Sequence, residues 1–342
     1  MALPAKKYRQ LRLLSFTTLM SLAFMTPQLA QACASCGCTL SSDWENLGLS
    51  STTGIKLDVR YDYLNQNQLR SGTNSISGAA ASQIVNPNGN QEVEKFTRNN
   101  YLTVGVDYTV NPSWGVNVQL PYINRSHSTL GTLSDGIAPG EGGGQYNSGT
   151  SNIGDIKVIG RYQGFSPQHN FGVLFGLKLP TGSHTETGRS TDSGNPGAVA
   201  IDRGLQPGTG TTDAILGAYY LDAFNQDWGY FSQAFVQKAL DYRDQYKPGD
   251  ALNLNLGVRY MGFDAITPQL QMNVRFVKHD IGAQADTIST GGTLAYLSPG
   301  ATVRVSKELK FYGFVQLPIY QEVNGVQLSP RWTASIGANY AF

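Results

Sequence analysis

Three cysteines lie close together near the start of the chain, in the order Cys-x-x-Cys-x-Cys, as Cys33, Cys36 and Cys38. Thiolates at this spacing can share a soft metal ion such as Cu(I) or Zn(II), although the motif supplies only three ligands and the nearest downstream histidine is His127. Covalent c-type haem attachment needs a histidine directly after the second cysteine, and Gly37 stands there. We therefore expect a disulfide with one spare thiol and no cofactor, with copper or zinc at these cysteines as the alternative.

Side chains that would support catalysis are sparse in the rest of the sequence. The four histidines are scattered, and no Gly-x-Ser-x-Gly, His-Glu-x-x-His or phosphate-loop pattern occurs. The formal charge of +1, from 25 basic and 24 acidic residues, excludes nucleic-acid binding through a basic surface. We predict that the protein is not an enzyme and has no nucleic-acid partner, and an enzyme carried on a barrel is the least favoured alternative.

Charged and amide side chains recur at every second position of several segments. Lys56, Asp58 and Arg60, for example, alternate with apolar residues between Ile55 and Tyr63. A period of two is typical of a β-strand with one polar and one apolar face. By this parity the polar faces include Lys56, Asp58, Arg60, Asp62, Asn117, Gln119, Asp155, Lys157, Arg161, Lys178, Asn253, Asn255, Arg259, Asn273, Arg275 and Arg304.

The connections between these segments alternate between short and long, and the predicted long loops are 66–95, 126–152, 182–211, 243–250, 282–291 and 322–330. A soluble β-sandwich has no reason to place every long loop at one end, whereas a transmembrane barrel has short periplasmic turns and long extracellular loops. The lipid core contains no water that could hydrogen-bond to unpaired backbone groups, so strands cross it only as a closed barrel. We predict an all-β fold, a transmembrane antiparallel β-barrel of about twelve strands, at 54–65, 96–110, 114–125, 153–164, 171–181, 212–223, 228–242, 251–262, 269–281, 292–305, 309–321 and 331–342.

In such a barrel the apolar face contacts lipid and the polar face lines the lumen. We expect Ile55, Val118, Leu254 and Ile336 to face lipid. Positive side chains outnumber negative ones on the predicted lumen face, which would favour the passage of anions. The alternative is a network of ion pairs that fills a narrow barrel.

The N-terminal residues have the layout of a secretory signal peptide: basic residues, an apolar stretch, and the small-residue pattern Ala30-Gln31-Ala32. Cleavage after this pattern would make Cys33 the first mature residue, with lipid attachment there as an alternative. The predicted organisation is a signal peptide, a cysteine-containing periplasmic segment or plug, and an outer-membrane barrel, over residues 1–32, 33–53 and 54–342.

The end of the chain carries a second targeting pattern. Trp332, Tyr340 and Phe342 lie on one face of the last predicted strand, and Phe342 is the terminal residue. This arrangement resembles the C-terminal assembly signal of bacterial outer-membrane barrels. The resemblance implies that the barrel assembly machinery recognises this strand.

Three further motifs resemble a family of transporters. They are Gly-Asp-Ile-Lys at 154–157, Gly-Leu-Lys-Leu-Pro-Thr-Gly at 176–182 and Leu-Gln-Pro-Gly-Thr-Gly-Thr-Thr-Asp at 205–213. Together they resemble outer-membrane barrels of the "MetA-pathway of phenol degradation" transporter type, which are distantly similar to long-chain fatty-acid transporters. The resemblance implies passage of small molecules, hydrophobic or aromatic compounds among them.

Leucine–proline pairs recur at 120–121, 179–180 and 317–318. Proline cannot donate to a strand ladder, so we expect each pair to end regular pairing at the rim of the barrel.

These patterns predict a channel or transporter for the passive passage of small molecules across the outer membrane of a Gram-negative bacterium. The expected partners are outer-membrane lipid, the barrel assembly machinery and a small-molecule solute. The alternative is a metal-linked or redox-linked outer-membrane scaffold that uses the N-terminal cysteines.

Overall fold

The computed structural model describes residues 53–87, 89–131, 146–190 and 197–342. The predicted signal peptide and the three cysteines lie outside the described residues, so the hypotheses about cleavage, disulfide, metal and lipid attachment stay predictions. Within the described part of the chain, no helix has the length and apolar character needed to cross a membrane.

The described residues form strands almost throughout, with one short helix, α1, at Gly78–Ser82 and a 3-10 turn at Arg203–Leu205. The strands are β1 Gly54–Gly72, β2 Asn74–Ser75, β3 Val85–Asn86, β4 Gly89–Asn90, β5 Glu94–Asn111, β6 Trp114–Thr129, β7 Tyr146–Ile153, β8 Ile156–Tyr162, β9 Phe171–Leu179, β10 Thr187–Ser190, β11 Gly197–Ala200, β12 Asp213–Ala223, β13 Trp228–Ala239, β14 Ala251–Tyr260, β15 Ile266–Val277, β16 Gly292–Arg304 and β17 Leu309–Ala341.

Eleven of the described strands close into an antiparallel barrel. Hydrogen-bonded neighbours follow the order β5, β1, β17, β16, β15, β14, β13, β12, β9, β8 and β6, and β6 pairs back to β5. The barrel has no open edge in its lower wall, so the ladder satisfies the backbone groups that lipid could not.

The last strand, β17, is a hairpin that crosses the barrel twice. Its first half pairs with β16 up to Val323 and its second half pairs with β1. The halves also bond each other, since the Ala341 amide donates to the Glu308 carbonyl at 2.9 Å and Thr333 Oγ1 donates to Gln316 Oε1 at 2.7 Å. Eleven elements therefore give the twelve crossings that the sequence predicts. The prediction of a long loop at 322–330 is wrong, because Gly325, at φ +58°, forms a tight turn between two strand halves.

Several strands continue beyond their predicted ends on the side of the long loops. β1 extends to Gly72 and β6 extends to Thr129, where β7 pairs with it. The segment predicted as one strand at 153–164 is divided at Gly154 and Asp155 between β7 and β8. The wall therefore rises above the bilayer as a partly separate sheet.

The expectation that each leucine–proline pair ends a strand is correct only for Pro180, which directly follows β9. Pro121 lies inside β6, at the point where the partner of β6 changes from β8 to β7. Its carbonyl still accepts the Gly154 amide at 2.8 Å, so the missing N–H falls where no ladder bond is needed. Pro318 lies inside β17 beside a register shift in the pairing of β16 with β17.

The outer surface of the barrel is apolar. Ile55, Val118 and Ile336 are 46%, 38% and 61% exposed, and Leu254 is half-buried on the same outer face. Aromatic rings pair at the short-turn end, with ring centroids 4.6 Å apart in Trp114–Tyr162, 5.1 Å in Trp228–Tyr260 and 4.9 Å in Tyr340–Phe342. An apolar band bounded by aromatic rings is the outer surface of a transmembrane barrel.

The three residues of the predicted assembly signal lie in this outer surface, Tyr340 in its ring pair with Phe342. Trp332 is exposed and contacts Tyr63, with ring centroids 5.5 Å apart. Phe342 is exposed, and its amide donates to the Ile55 carbonyl at 2.9 Å, which joins the chain terminus to β1. Recognition of this strand by the assembly machinery stays a prediction.

Candidate functional site

A cavity of about 310 Å³ lies inside the barrel on the long-loop side. Strands β8, β9, β12 and β13 form much of its wall. Residues 201–211, which we call the inner loop, fold into the barrel and cover the cavity together with a turn at 246–249. Leu205 of the inner loop is fully buried.

Arg125, which the parity analysis did not select, holds the inner loop in place. Its guanidinium donates to the carbonyls of Gly204 at 3.2 Å and Gln206 at 3.3 Å, and to the hydroxyl of Tyr101 at 3.0 Å. Arg125 lies on the inward face of β6, four residues after Pro121. Arg125 is the last residue of the predicted strand 114–125 and has the parity of Asn117 and Gln119, so the same alternation could have found it.

The predicted lumen residues occupy three places. Those that line the cavity are Arg60, Gln119, Asp155, Lys157, Lys178 and Arg275. Those buried or half-buried elsewhere on the inner face are Lys56, Asp58, Asp62, Asn117, Arg161, Asn253, Asn255, Arg259 and Asn273. The third place is the short-turn rim of the barrel. Arg304 is exposed there, and its guanidinium donates to the Asp264 carbonyl.

Below the cavity, a network of polar side chains fills the inner face of the barrel. The Arg161 guanidinium lies 2.7 Å from the Asp107 carboxylate, and both residues are buried. On the opposite side, the Asn273 amide donates to Asn255 at 2.8 Å and the Asn255 amide donates to Gln233 at 2.9 Å. Of the two predicted interpretations, the structure therefore shows a packed network in this part of the lumen and an open cavity above it.

The three sequence motifs converge at Asp155, in the break between β7 and β8. Asp155 accepts hydrogen bonds from the amide of Gly182 at 3.0 Å and from the amide and hydroxyl of Thr209, both at 3.0 Å. Lys178 forms an ion pair with Asp155 at 2.7 Å and lies 3.3 Å from Asp213. Each of the three motifs therefore contributes at least one residue to a single buried polar junction.

Glycines let the backbones of this junction approach each other. A Cβ atom on Gly208 would lie 2.5 Å from the carbonyl oxygen of Gly182 and 2.6 Å from Asp155 Oδ1, far inside normal contact distance. Packing therefore requires glycine at these motif positions, because the inner loop must contact the wall at this point.

One inner wall of the cavity is apolar, contrary to the expectation of a polar lumen face. Ile159, Leu174 and Ile215 are buried together, with Phe235 packed against them. The sequence analysis missed these residues, because their outward neighbours are apolar too. Adjacent apolar pairs such as Ile215-Leu216 are the signal that could have found them.

Carboxyl groups gather in the loops above the cavity. The pKa of Glu92 is raised to about 7, chiefly by burial and also by the charge of Asp286, against a hydrogen bond from Thr129 that lowers it. Burial also raises the pKa of Asp202 well above its ordinary value, as do the charges of Glu92 and Asp286. The described residues contain no group of three or more histidine, cysteine or acidic side chains arranged to hold a metal ion.

We expect these acids to make the mouth of the barrel sensitive to pH. The pKa of Glu92 is higher in the folded protein than its ordinary 4.5. The protonated carboxyl therefore stabilises the folded mouth fully below about pH 4.5, and this stability is lost as pH rises through about 7. Backbone hydrogen exchange near 89–93 and 201–205, corrected for intrinsic rates, should be at least severalfold faster at about pH 8 than at about pH 6. Glu92→Gln should remove most of this difference, and Asp264→Asn, at the opposite rim, should leave it. Identical exchange at both pH values would contradict the prediction.

The fold is shared with known outer-membrane proteins. A crystal structure of an outer-membrane channel from Pseudomonas putida F1 superposes with a TM-score of 0.60 at 12% identity, covering 85% of this chain and 96% of that one. A monoaromatic hydrocarbon channel matches with a TM-score of 0.47 at 13% identity, covering 85% of this chain and 89% of that one. A toluene transporter from Ralstonia pickettii matches with a TM-score of 0.44 at 12% identity, covering 85% and 90%. The first of these likenesses defines the fold.

Sequence comparison adds no family assignment, since no family model and no curated protein matches the chain. The structural likeness agrees, at the level of the fold, with the resemblance that the three motifs indicate. With its closed antiparallel wall and its apolar outer band, the chain has the fold of an outer-membrane β-barrel channel.

Proposed function

We propose that this protein is a channel for the passive passage of small molecules across the bacterial outer membrane. The observation that carries the proposal is the cavity of about 310 Å³, which the barrel wall encloses and the inner loop covers. A barrel that served only as a scaffold would have no need of an internal cavity lined by both charged and apolar side chains. We propose outer-membrane lipid, the barrel assembly machinery and the permeating solute as its partners.

The packed network below the cavity argues for a narrow passage. Residues such as Arg161, Asn273 and Ser298 are almost completely buried, so little free cross-section remains on the inner face at their level. The inner loop closes the other side of the cavity and is attached through Arg125. A solute would therefore pass slowly, with a sharp limit on its size.

Swelling of vesicles that contain the purified barrel tests the proposal. We expect measurable permeation of small solutes and a steep decline with solute size. Arg125→Gln removes the bonds that hold the inner loop, so it should raise the rate for larger solutes by about tenfold. A conservative control, Lys238→Gln, changes an exposed residue on the outer face of β13 and should leave the rates unchanged.

Folding of each variant is checked by the heat-induced shift of the barrel on a gel. Swelling no faster than in protein-free vesicles, for every solute and for both the natural protein and the Arg125→Gln variant, would refute the proposed channel.

A further inference from the structure

We propose that the cavity is a binding site for a compact amphiphilic anion, a small carboxylate with an apolar, ring-sized body. The inference rests on the proposed function and deepens it by naming the class of solute. Its evidence is the contrast between a cationic and an apolar part of one cavity.

Positive charge predominates in the cavity. Six lining residues are cationic and three are acidic, namely Arg60, Arg125, Lys157, Lys178, Arg203 and Arg275 against Asp155, Asp213 and Asp280. The acidic groups are already engaged. Asp155 and Asp213 surround Lys178 at 2.7 and 3.3 Å, and Asp280 accepts bonds from the Tyr246 hydroxyl at 2.9 Å and the Gly249 amide at 2.8 Å.

Among the cations of the cavity, Lys157 has the charge that acidic side chains neutralise least. It lies on the inward face of β8 and lines the cavity, and its ammonium makes no hydrogen bond or ion pair with any residue that the structure describes. The charges of Arg275, Lys178 and Arg60 repel it, and among the charged neighbours only that of Asp213, which is shared with Lys178, attracts it. An ammonium group that is half-buried among like charges is costly unless an anion joins it.

Arg275 faces the same space from β15, which is not a neighbour of β8 in the wall. Its hydrogen-bond partner among the described residues is neutral, because Nη1 donates to the Asn253 amide oxygen at 2.8 Å. Its Nε is buried and has no partner in the described structure. Arg60 is less available, since its Nε lies 2.8 Å from the Asp62 carboxylate. Lys157 and Arg275 therefore form the free end of an anion site.

The apolar part of the cavity lies beside these cations. Ile159 stands two residues from Lys157 on the same face of β8, and Leu174, Ile215 and Phe235 continue the patch across β9, β12 and β13. The volume of about 310 Å³ is at the low end of the range for small-molecule sites, about 300–1,000 Å³. The space suits a ring or a short branched body better than a long chain.

Each part of the cavity excludes a simpler ligand. A neutral hydrocarbon would leave Lys157 and Arg275 without an anion. A small inorganic or fully polar anion would leave the patch around Ile215 wet. A compact carboxylate meets both demands, since its charged oxygens suit the cations and its body covers the apolar wall.

Binding measurements on the purified, folded barrel test the inference, with benzoate, acetate and benzyl alcohol as probes. We expect saturable binding of benzoate and binding of acetate and of benzyl alcohol that is weaker by about tenfold or more. Lys157→Gln should weaken benzoate binding by about tenfold or more and leave benzyl alcohol unaffected, whereas Lys157→Arg should restore it. Lys95→Gln, at an exposed position of β5, is the matched control and should bind benzoate normally.

The apolar patch is tested by Phe235→Gln, which should reduce benzoate binding to the level of acetate and leave acetate unchanged. If Lys157→Gln does not show the heat-induced shift of a folded barrel, Arg275→Gln takes its place with the same expectation. Equal binding of benzoate and benzyl alcohol, or full benzoate binding by both charge variants, would overturn the inference. A barrel that swells vesicles but does not bind benzoate refutes the anion site alone, whereas one that binds benzoate as described but never swells vesicles refutes the channel alone.

Discussion

Asp155→Ala is expected to lower the free energy of unfolding of the barrel by about 3–5 kcal/mol. The Asp155 carboxylate is buried and accepts bonds from Lys178, from the Gly182 amide and from Thr209. Without it, two backbone amides lose their acceptor, and Lys178 keeps its longer contact with Asp213 and its bonds to the Thr209 hydroxyl and the Thr211 carbonyl. A buried donor without an acceptor costs about 1–3 kcal/mol, so the losses add to a large effect.

Urea unfolding in detergent or lipid, followed by tryptophan fluorescence, measures this change. Asp155→Asn keeps the shape and one acceptor oxygen, so it should lose less than the alanine variant. Asp264→Ala, at an exposed rim position, is a matched control that should hardly change the unfolding curve. A loss below about 1 kcal/mol for Asp155→Ala would show that the inner loop and the wall do not depend on this junction.

Leu254→Arg is expected to cost about 2–4 kcal/mol, because it places a guanidinium on the lipid-facing side of β14 near the middle of the apolar band. Leu254 pairs with Ala234 and Val274 on the outer face, with no acidic partner beside it in the ladder. The adjacent inward residue Asn255 is an unsuitable control, since it is buried and bonded to Gln233 and Asn273.

Gln237→Arg provides the matched inward control. Gln237 lines the cavity, and its amide donates to Asp213 at 2.6 Å, so an arginine there has both space and a carboxylate. Its cost should be well below that of Leu254→Arg in the same unfolding assay. Equal costs at the two positions would show that the assignment of inner and outer faces on these strands is wrong.

The sequence alone predicts the barrel wall well, because every strand has lipid on one face and the lumen on the other. Lipid on one side and the lumen on the other impose a period of two on each segment separately, so the alternation around Ile55 or Ile336 needs no knowledge of other segments. The number of crossings follows in the same way. Where the wall rises above the lipid this constraint ends, and there the predictions of 66–95 and 322–330 as loops fail, because those stretches contain strand extensions and the turn at Gly325.

The site depends on contacts between distant parts of the chain. Asp155 meets Thr209 because the inner loop folds back into the barrel, and Lys157 approaches Arg275 because closure of the wall brings β8 and β15 to one cavity. The sequence determined which positions face inward, since that is a local property of a strand with a known register. The tertiary structure decided which inward residues pair, which remain uncompensated, and where Ile159 and Ile215 build an apolar wall, because closure of the barrel and entry of the inner loop set the distances between them.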